Sequence, residues 1–228
     1  MPKLLGENSA VSNPNPERSH FKRRLRRLEQ DILRMGALVE HSCRLSHQAL
    51  FAQNLTASQE ILVIEQKIDQ FYRHIELECA ALIALESPVA QDLRLLSAFM
   101  QLVRDLERIG DYAQELAEIG IKLFPYPPHQ CLSQIEVMSH QAQAMLAASL
   151  MALADLDAEA GSAVKRLDAT VNELYHQVYQ ILATQRDVKG VVEPLLLLAL
   201  AIRHLERMAD HAANIGQRVT YVVTGQRV

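Results

Sequence analysis

An all-α fold, arranged as two tandem three-helix bundles of elongated shape, follows from three features of this 228-residue chain. Glycine and proline are scarce, with eight of each, about 7% together against roughly 12% in average usage. Aromatic residues are only 5% and tryptophan is absent, too little turn and strand chemistry for a many-stranded fold. Apolar residues instead recur at steps of three and four along most of the chain, the spacing of a helix with one buried face.

The prolines, at positions 2, 14, 16, 88, 125, 127, 128 and 194, divide the chain. Residues 1–18 are polar, contain Pro14-Asn15-Pro16 and read as a flexible tail. Phe21, Leu25, Leu28, Ile32, Met35 and Val39 then mark a first helix reaching about Asn54. Thr56-x-x-Gln59 fits a capping box for a second helix, whose stripe is Ile61, Ile64, Ile68, Phe71, Ile75, Cys79 and Leu82. Ser87-Pro88 fits an N-cap with proline in the first turn of a third helix carrying Leu96, Phe99, Val103, Leu106, Gly110 and Ala113. Phe124-Pro125-Tyr126-Pro127-Pro128 ends it, because no helix crosses such a run.

The pattern then restarts. Leu132, Ile135, Met138, Ala142 and Met145 mark a fourth helix, and the segment from Asp155 to Asp157 supplies a break with capping residues. Val164, Leu167, Val171, Leu174, Val178, Ile181 and Leu182 mark a fifth. A sixth starts near Val191 to Pro194 and runs to about Val223, with Gly225 as its stop. A shift of 99 positions lays Asp69 on Asp168, Arg104 on Arg203, and Leu106-Glu107-Arg108 with Asp111 on Leu205-Glu206-Arg207 with Asp210. Repetition on that scale means two copies of one three-helix unit, expected over 19–124 and 129–226.

Composition excludes several classes of function. With 49% hydrophobic and 22% charged residues the chain is globular, and its net charge of −4 provides no basic field for nucleic acid. Cys43, Cys79 and Cys131 form no CxxC and read as buried thiols in a reducing compartment. The N-terminus resembles no signal peptide, and the most apolar run, Pro194 to Ile202, is far short of the roughly 20 residues that span a bilayer. A cytoplasmic location is expected. Phosphate loops, nucleophile elbows and HExxH are absent, so no enzyme is indicated. Glu173-x-x-His176 matches the ExxH element of di-iron bundles but has no partner in the first half.

Chemistry concentrates in the repeated Glu-Arg-x-x-Asp, at Glu107/Asp111 and at Glu206/Asp210. Four residues turn a helix through about 400°, so each pair of carboxylates is stacked on one face. Like charges at that spacing cost a few tenths of a kcal/mol, and doing so twice at equivalent positions calls for a positive partner. Extending the faces adds Glu115 in one unit and Asn214 in the other, while Asp69 and Asp168 stand beside the apolar stripes of the preceding helices. Oxygen ligands without cysteine suit hard cations. Alternatively Arg104, Arg108 and their counterparts neutralise the acids, or the acidic faces are simply solvated. A second cluster, Lys22, Arg23, Arg24, Arg26 and Arg27, lies at a helix start, where the dipole disfavours cations. It suits anionic lipid head groups or an acidic partner, or pairs with Glu29 and Asp31.

At these repeats the sequence resembles the PhoU family, regulators of bacterial phosphate transport. The resemblance covers residues 20–226 and is most specific at Ser87 to Arg94, Leu106 to Asp111, Leu205 to Ile215 and Tyr221 to Gly225. It implies a PhoU-like six-helix fold that is not an enzyme. It further implies negative regulation of phosphate uptake and of the phosphate-starvation response, bridging the ATPase subunit of the Pst phosphate ABC transporter and a PhoR-type sensor kinase. The family's E(D)xxxD motifs imply bound metal, such as Fe, Zn, Mn, Ni or Mg, at Glu107, Asp111, Glu206 and Asp210. Asp105 fits the acidic lead position of the first motif, although its equivalent is His204, and Ala209 stands where the motif usually has glycine. A homodimer, peripheral membrane association and no nucleic acid are expected. The rival expectation is a metal-buffering helical protein without phosphate signalling.

Overall fold

Six long helices make up the chain in the computed structural model, which describes residues 16–186 and 190–226: α1 (Pro16–Phe51), α2 (Leu55–Glu86), α3 (Ala90–Leu123), α4 (Leu132–Asp155), α5 (Ala158–Ala183) and α6 (Glu193–Thr224). The expected tail lies outside the described residues up to residue 15, and from Pro16 the chain is already helical. α1, α2 and α3 pack on one another, as do α4, α5 and α6, giving the two bundles that the repeat predicts. The bundles are joined through α3 against α6 and α1 against α4, and a single apolar core runs through both.

The apolar stripes form that core. Ile32, Met35, Val39, Ile61, Ile75, Leu82, Leu96, Val103, Leu106, Ile135, Met138 and Val171 are all fully buried. Burying a side chain of this size stabilises the fold by about 1.5–3 kcal/mol, so the seams rather than helix propensity hold the helices in place. Leu167 departs from expectation: it is 42% exposed, because α5 turns Asp168 rather than Leu167 toward α6. The three cysteines are buried and unpaired, and burial pushes the Cys43 and Cys79 thiols up to about 12.

Two helix starts differ from the sequence reading. The cap of α2 is Asn54, whose side-chain oxygen accepts from the backbone N–H groups of Thr56 (3.2 Å) and Ala57 (3.3 Å), so Thr56 falls inside the first turn. Ser87 is not the N-cap of α3; it closes α2 in a left-handed conformation at φ 45°, and α3 begins at Ala90 after Val89. Proline disfavours helical backbone in the residue before it, which is why Ser87-Pro88 ends one helix rather than opening the next.

The other boundaries fall as read. Asp157 caps α5 by accepting from Glu159 N–H (2.9 Å) and Ala160 N–H (3.0 Å), Pro194 sits in the first turn of α6, and Gly225 at φ 73° closes it. Asp157→Ala is expected to cost about 1 kcal/mol. A urea midpoint unchanged from the parent would show that this cap contributes nothing. The linker after α3 is fastened to the second repeat, where Tyr126 Oη donates to Glu193 Oε2 at 2.6 Å.

Candidate functional site

Glu107 and Asp111 project from α3 toward α2, which supplies Asp69 and one further acid, Glu65. Burial raises the Glu107 carboxyl above its ordinary range, helped by the negative charges of Asp111 and Asp69. Burial likewise raises Asp111, with Asp69 and Glu115 adding to the effect and Arg108 opposing it. Glu65 is raised by burial and by Asp69 and Asp111. Four carboxylates from two helices thus share one patch. Glu65 was not singled out in the sequence, although Glu65-x-x-x-Asp69 has the same spacing as Glu107-x-x-x-Asp111 and presents a stacked pair on the facing helix.

The second repeat builds the same arrangement with fewer acids, since Val164 stands where the first has Glu65. Glu206 and Asp210 lie on α6, and Asp168 on α5. Burial raises Glu206, with Asp210 and Asp168 adding and Arg203 and Arg207 opposing. Asp168 is only 5% exposed. Its Oδ2 accepts from Lys165 Nζ (3.1 Å) and Asn172 Nδ2 (3.2 Å), while its buried Oδ1 has no hydrogen-bond partner. Leaving a charged oxygen buried and unpaired is costly, and a cation beside it would remove that cost.

Arginines hold five of the other carboxylates. Arg108 reaches Asp111 at 3.2 Å and Glu107 at 3.8 Å, Arg73 reaches Asp69 at 2.7 Å, Arg203 reaches Glu206 at 2.7 Å and Arg207 reaches Asp210 at 3.0 Å. Surface pairs of this type contribute about 0–1 kcal/mol. The side chains of Arg73, Arg108 and Arg203 are 71%, 49% and 49% exposed, so each can swing into solvent and surrender its carboxylate to a stronger cation. The donors in both patches are all oxygen and mutually repelling, the ligand type of hard divalent or trivalent ions. With the arginines in place, however, no three of these carboxylates bring ligand atoms within 4.8 Å of one another among the described residues.

Several candidates take other roles. Asp105 does not join Glu107 and Asp111: it is 5% exposed at the α3–α6 contact, where it accepts from His211 Nδ1 (2.9 Å) and Arg218 Nε (2.8 Å). By resemblance Asp105 fits the acidic lead position of the first motif, but two positions along a helix is about 200°, which turns it to the opposite side from Glu107. Glu115 extends across the same contact to lie 3.1 Å from His204 Nδ1. Tyr112 stacks on both His204 and His211, with ring centroids 5.4 and 5.9 Å away. Asn214 is half-buried one turn beyond Asp210. Of the basic cluster, Lys22, Arg23, Arg26 and Arg27 are exposed, whereas Arg24 is half-buried and paired with Glu78 at 3.0 Å. Asp31 pairs with Arg34 instead of with that cluster.

Both carboxylate patches lie within segments that match one family. The PhoU domain model matches this chain twice, over residues 32–120 and 135–219. The chain belongs to the PhoU family. A phosphate-specific transport system accessory protein PhoU homolog of Synechocystis sp. is 62% identical over 213 residues, spanning 93% of this chain and 95% of the relative. The fold is that of solved PhoU structures. The crystal structure of PhoU from Pseudomonas aeruginosa superposes with a TM-score of 0.87 at 32% identity, covering 90% of this chain and all of that one. The phosphate transport system regulatory protein PhoU from Streptococcus pneumoniae gives 0.83 at 29% identity, covering 91% and 99%. No described helix of this PhoU-family chain is long and apolar enough to cross a membrane.

Proposed function

We propose that this chain is an accessory regulator of a phosphate-uptake transporter, repressing uptake and the starvation response when phosphate is plentiful. The observation that carries the reading is the 62% identity, over nearly the full length of both chains, to a relative named as a phosphate-specific transport system accessory protein. In this role the protein bridges the transporter's ATPase subunit and a PhoR-type sensor kinase on the cytoplasmic side, without catalysing a reaction. The two rigid bundles, joined through one core, suit a bridge that holds two partners at a fixed separation.

The carboxylate patches hold metal ions in this reading. Glu107 and Asp111 with Asp69 and Glu65, and Glu206 and Asp210 with Asp168, are the ligands, and the unpartnered Asp168 Oδ1 is the oxygen most in need of one. The bound ion supplies positive charge that offsets carboxylate repulsion and ties α2 to α3 and α5 to α6. The exposed basic residues at the start of α1, Lys22, Arg23, Arg26 and Arg27, dock the protein at the anionic membrane surface beside the transporter.

The test is a phosphate-starvation reporter in the host, grown in ample phosphate. Deleting the gene should switch the reporter on and restoring it should silence it. Restoring it with Glu107→Gln, Asp111→Asn, Glu206→Gln and Asp210→Asn together should fail to silence, and neutralising the basic cluster should abolish recruitment to membranes. A reporter that stays silent on deletion sinks the regulator reading. Stoichiometric metal binding under that outcome would leave a metal-buffering protein, which the orphaned Asp168 oxygen favours as the second reading.

A further inference from the structure

The two repeats meet along a second line, α1 against α4, which the carboxylate patches do not touch. On it His47 from α1 faces Glu136 and His140 from α4. One donor atom from each of the three side chains lies within 4.8 Å of the other two. His47 Nε2 is 3.9 Å from Glu136 Oε1, and the His47 and His140 rings stand 4.5 Å apart between centroids. Glu136 and His140 are one turn apart on the same face of α4. We infer that His47, Glu136 and His140 form a site for one borderline divalent transition-metal ion, of the Zn²⁺, Co²⁺ or Ni²⁺ class, which staples the first repeat to the second.

Four observations carry this. Two imidazoles and one carboxylate are a donor set that suits Zn²⁺ and its neighbours, in contrast to the all-oxygen patches. His47 is also held by its far side. Its Nδ1 lies 3.1 Å from the buried Ser139 Oγ, which in turn accepts from Gln143 Nε2 at 3.3 Å. With the ring proton directed to Ser139, Nε2 is left as the free lone pair aimed at the cluster, the usual support for a metal-binding histidine. Glu136 differs from Asp111, Glu206 and Asp210 in having no arginine or lysine partner among the described residues. Finally, closure is small. Ligand atoms around a tetrahedral Zn²⁺ stand about 3.3 Å apart, given bonds of about 2.0–2.1 Å. His140 is exposed and the Glu136 side chain is 47% exposed, so both are free to rotate inward. The fourth position opens to solvent and takes water.

The site is independent of the phosphate reading, and the test is built to keep the two apart. The full chain, with Glu107→Gln, Asp111→Asn, Glu206→Gln and Asp210→Asn to silence the acidic patches, is stripped with chelator and titrated with Zn²⁺ by calorimetry. One equivalent should bind, with the melting temperature raised by Zn²⁺. Co²⁺ in its place should give a visible d–d band. His140→Ala, at an exposed position that leaves folding intact, should abolish the equivalent, the band and the melting shift. His47→Ala should do the same, and Ser139→Ala should weaken binding by about tenfold. Absence of a bound equivalent in the parent, or an equivalent and band that survive His47→Ala with His140→Ala, would overturn the assignment.

Discussion

Gly216→Ala is expected to destabilise the protein by about 3 kcal/mol, at the upper end of what overpacking costs. A Cβ at Gly216 would sit 2.5 Å from the backbone oxygen of Gly161, and one at Gly161 would sit 2.5 Å from the backbone oxygen of Gly216. The two glycines thus mark the point where α5 and α6 touch backbone to backbone. Hydrogen bonds close around it: Thr220 Oγ1 donates to the Ala158 carbonyl at 3.0 Å, and Ser162 and Thr220 hydroxyls are 3.1 Å apart. Backbone at such a contact cannot step aside, so the helices must separate and those bonds lengthen.

Gly36→Ala is the matched control. Its Cβ would meet only the side-chain carbons of Leu150, at 2.6 Å, which can rotate away. The loss there should be about 1 kcal/mol or less. Chemical denaturation followed by circular dichroism measures both, and equal midpoints for the two variants would contradict the close α5–α6 approach. The consequence reaches the candidate site, because α5 carries Asp168 and α6 carries Glu206 and Asp210. Under the proposed metal-binding reading, prising these helices apart should weaken binding in the second repeat while leaving the first intact.

Asp105→Ala should cost about 3 kcal/mol, from the same order of loss that follows when one partner of a buried ion pair is removed. Asp105 is the buried carboxylate between α3 and α6, with His211 on one oxygen and Arg218 on the other, and Arg218 also donates to Gln101. Removing the carboxylate leaves the Arg218 Nε–H and the His211 imidazole without the acceptor they share, while Arg218 keeps only its bond to Gln101. Arg218, with 27% of its side chain exposed, recovers some hydration, which keeps the loss near the lower limit for such pairs. Asp105→Asn, which keeps the shape and one acceptor, should lose less. In a double-mutant cycle with Arg218→Ala the coupling should be about 2 kcal/mol. Coupling near zero would mean that the contact between the repeats is held by its apolar seam alone.

Asp105 also shows where sequence reading stops. Its fit to the acidic lead position of the first motif made it a further candidate beside Glu107 and Asp111, yet helical rotation carries it to the side that meets the other repeat. Its equivalent in the second half is His204, and the equivalent of Tyr112 is His211. The repeat thus breaks its own symmetry where its two copies meet: Asp105 pairs with His211, and Glu115 approaches His204. Partners 106 positions apart have no local signature. Glu65 is a different kind of omission. Its spacing to Asp69 was visible, but only the packing of α2 on α3 shows that this pair faces Glu107 and Asp111.

By itself the sequence determined the six helices, the residues that form their buried seams, the duplication and the stacked carboxylates at Glu107/Asp111 and Glu206/Asp210. These depend on intervals of three and four residues and on a 99-residue repeat, all of which are properties of one chain read along its length. Tertiary structure decided the rest. It set α3 against α6 and α1 against α4, withdrew Asp105 from the acidic face, left Asp168 Oδ1 without a partner and brought His47 to Glu136 and His140. Those outcomes depend on how whole helices rotate and approach one another, which is settled by the summed packing of many side chains and by the few places, such as Gly161 and Gly216, where backbones touch.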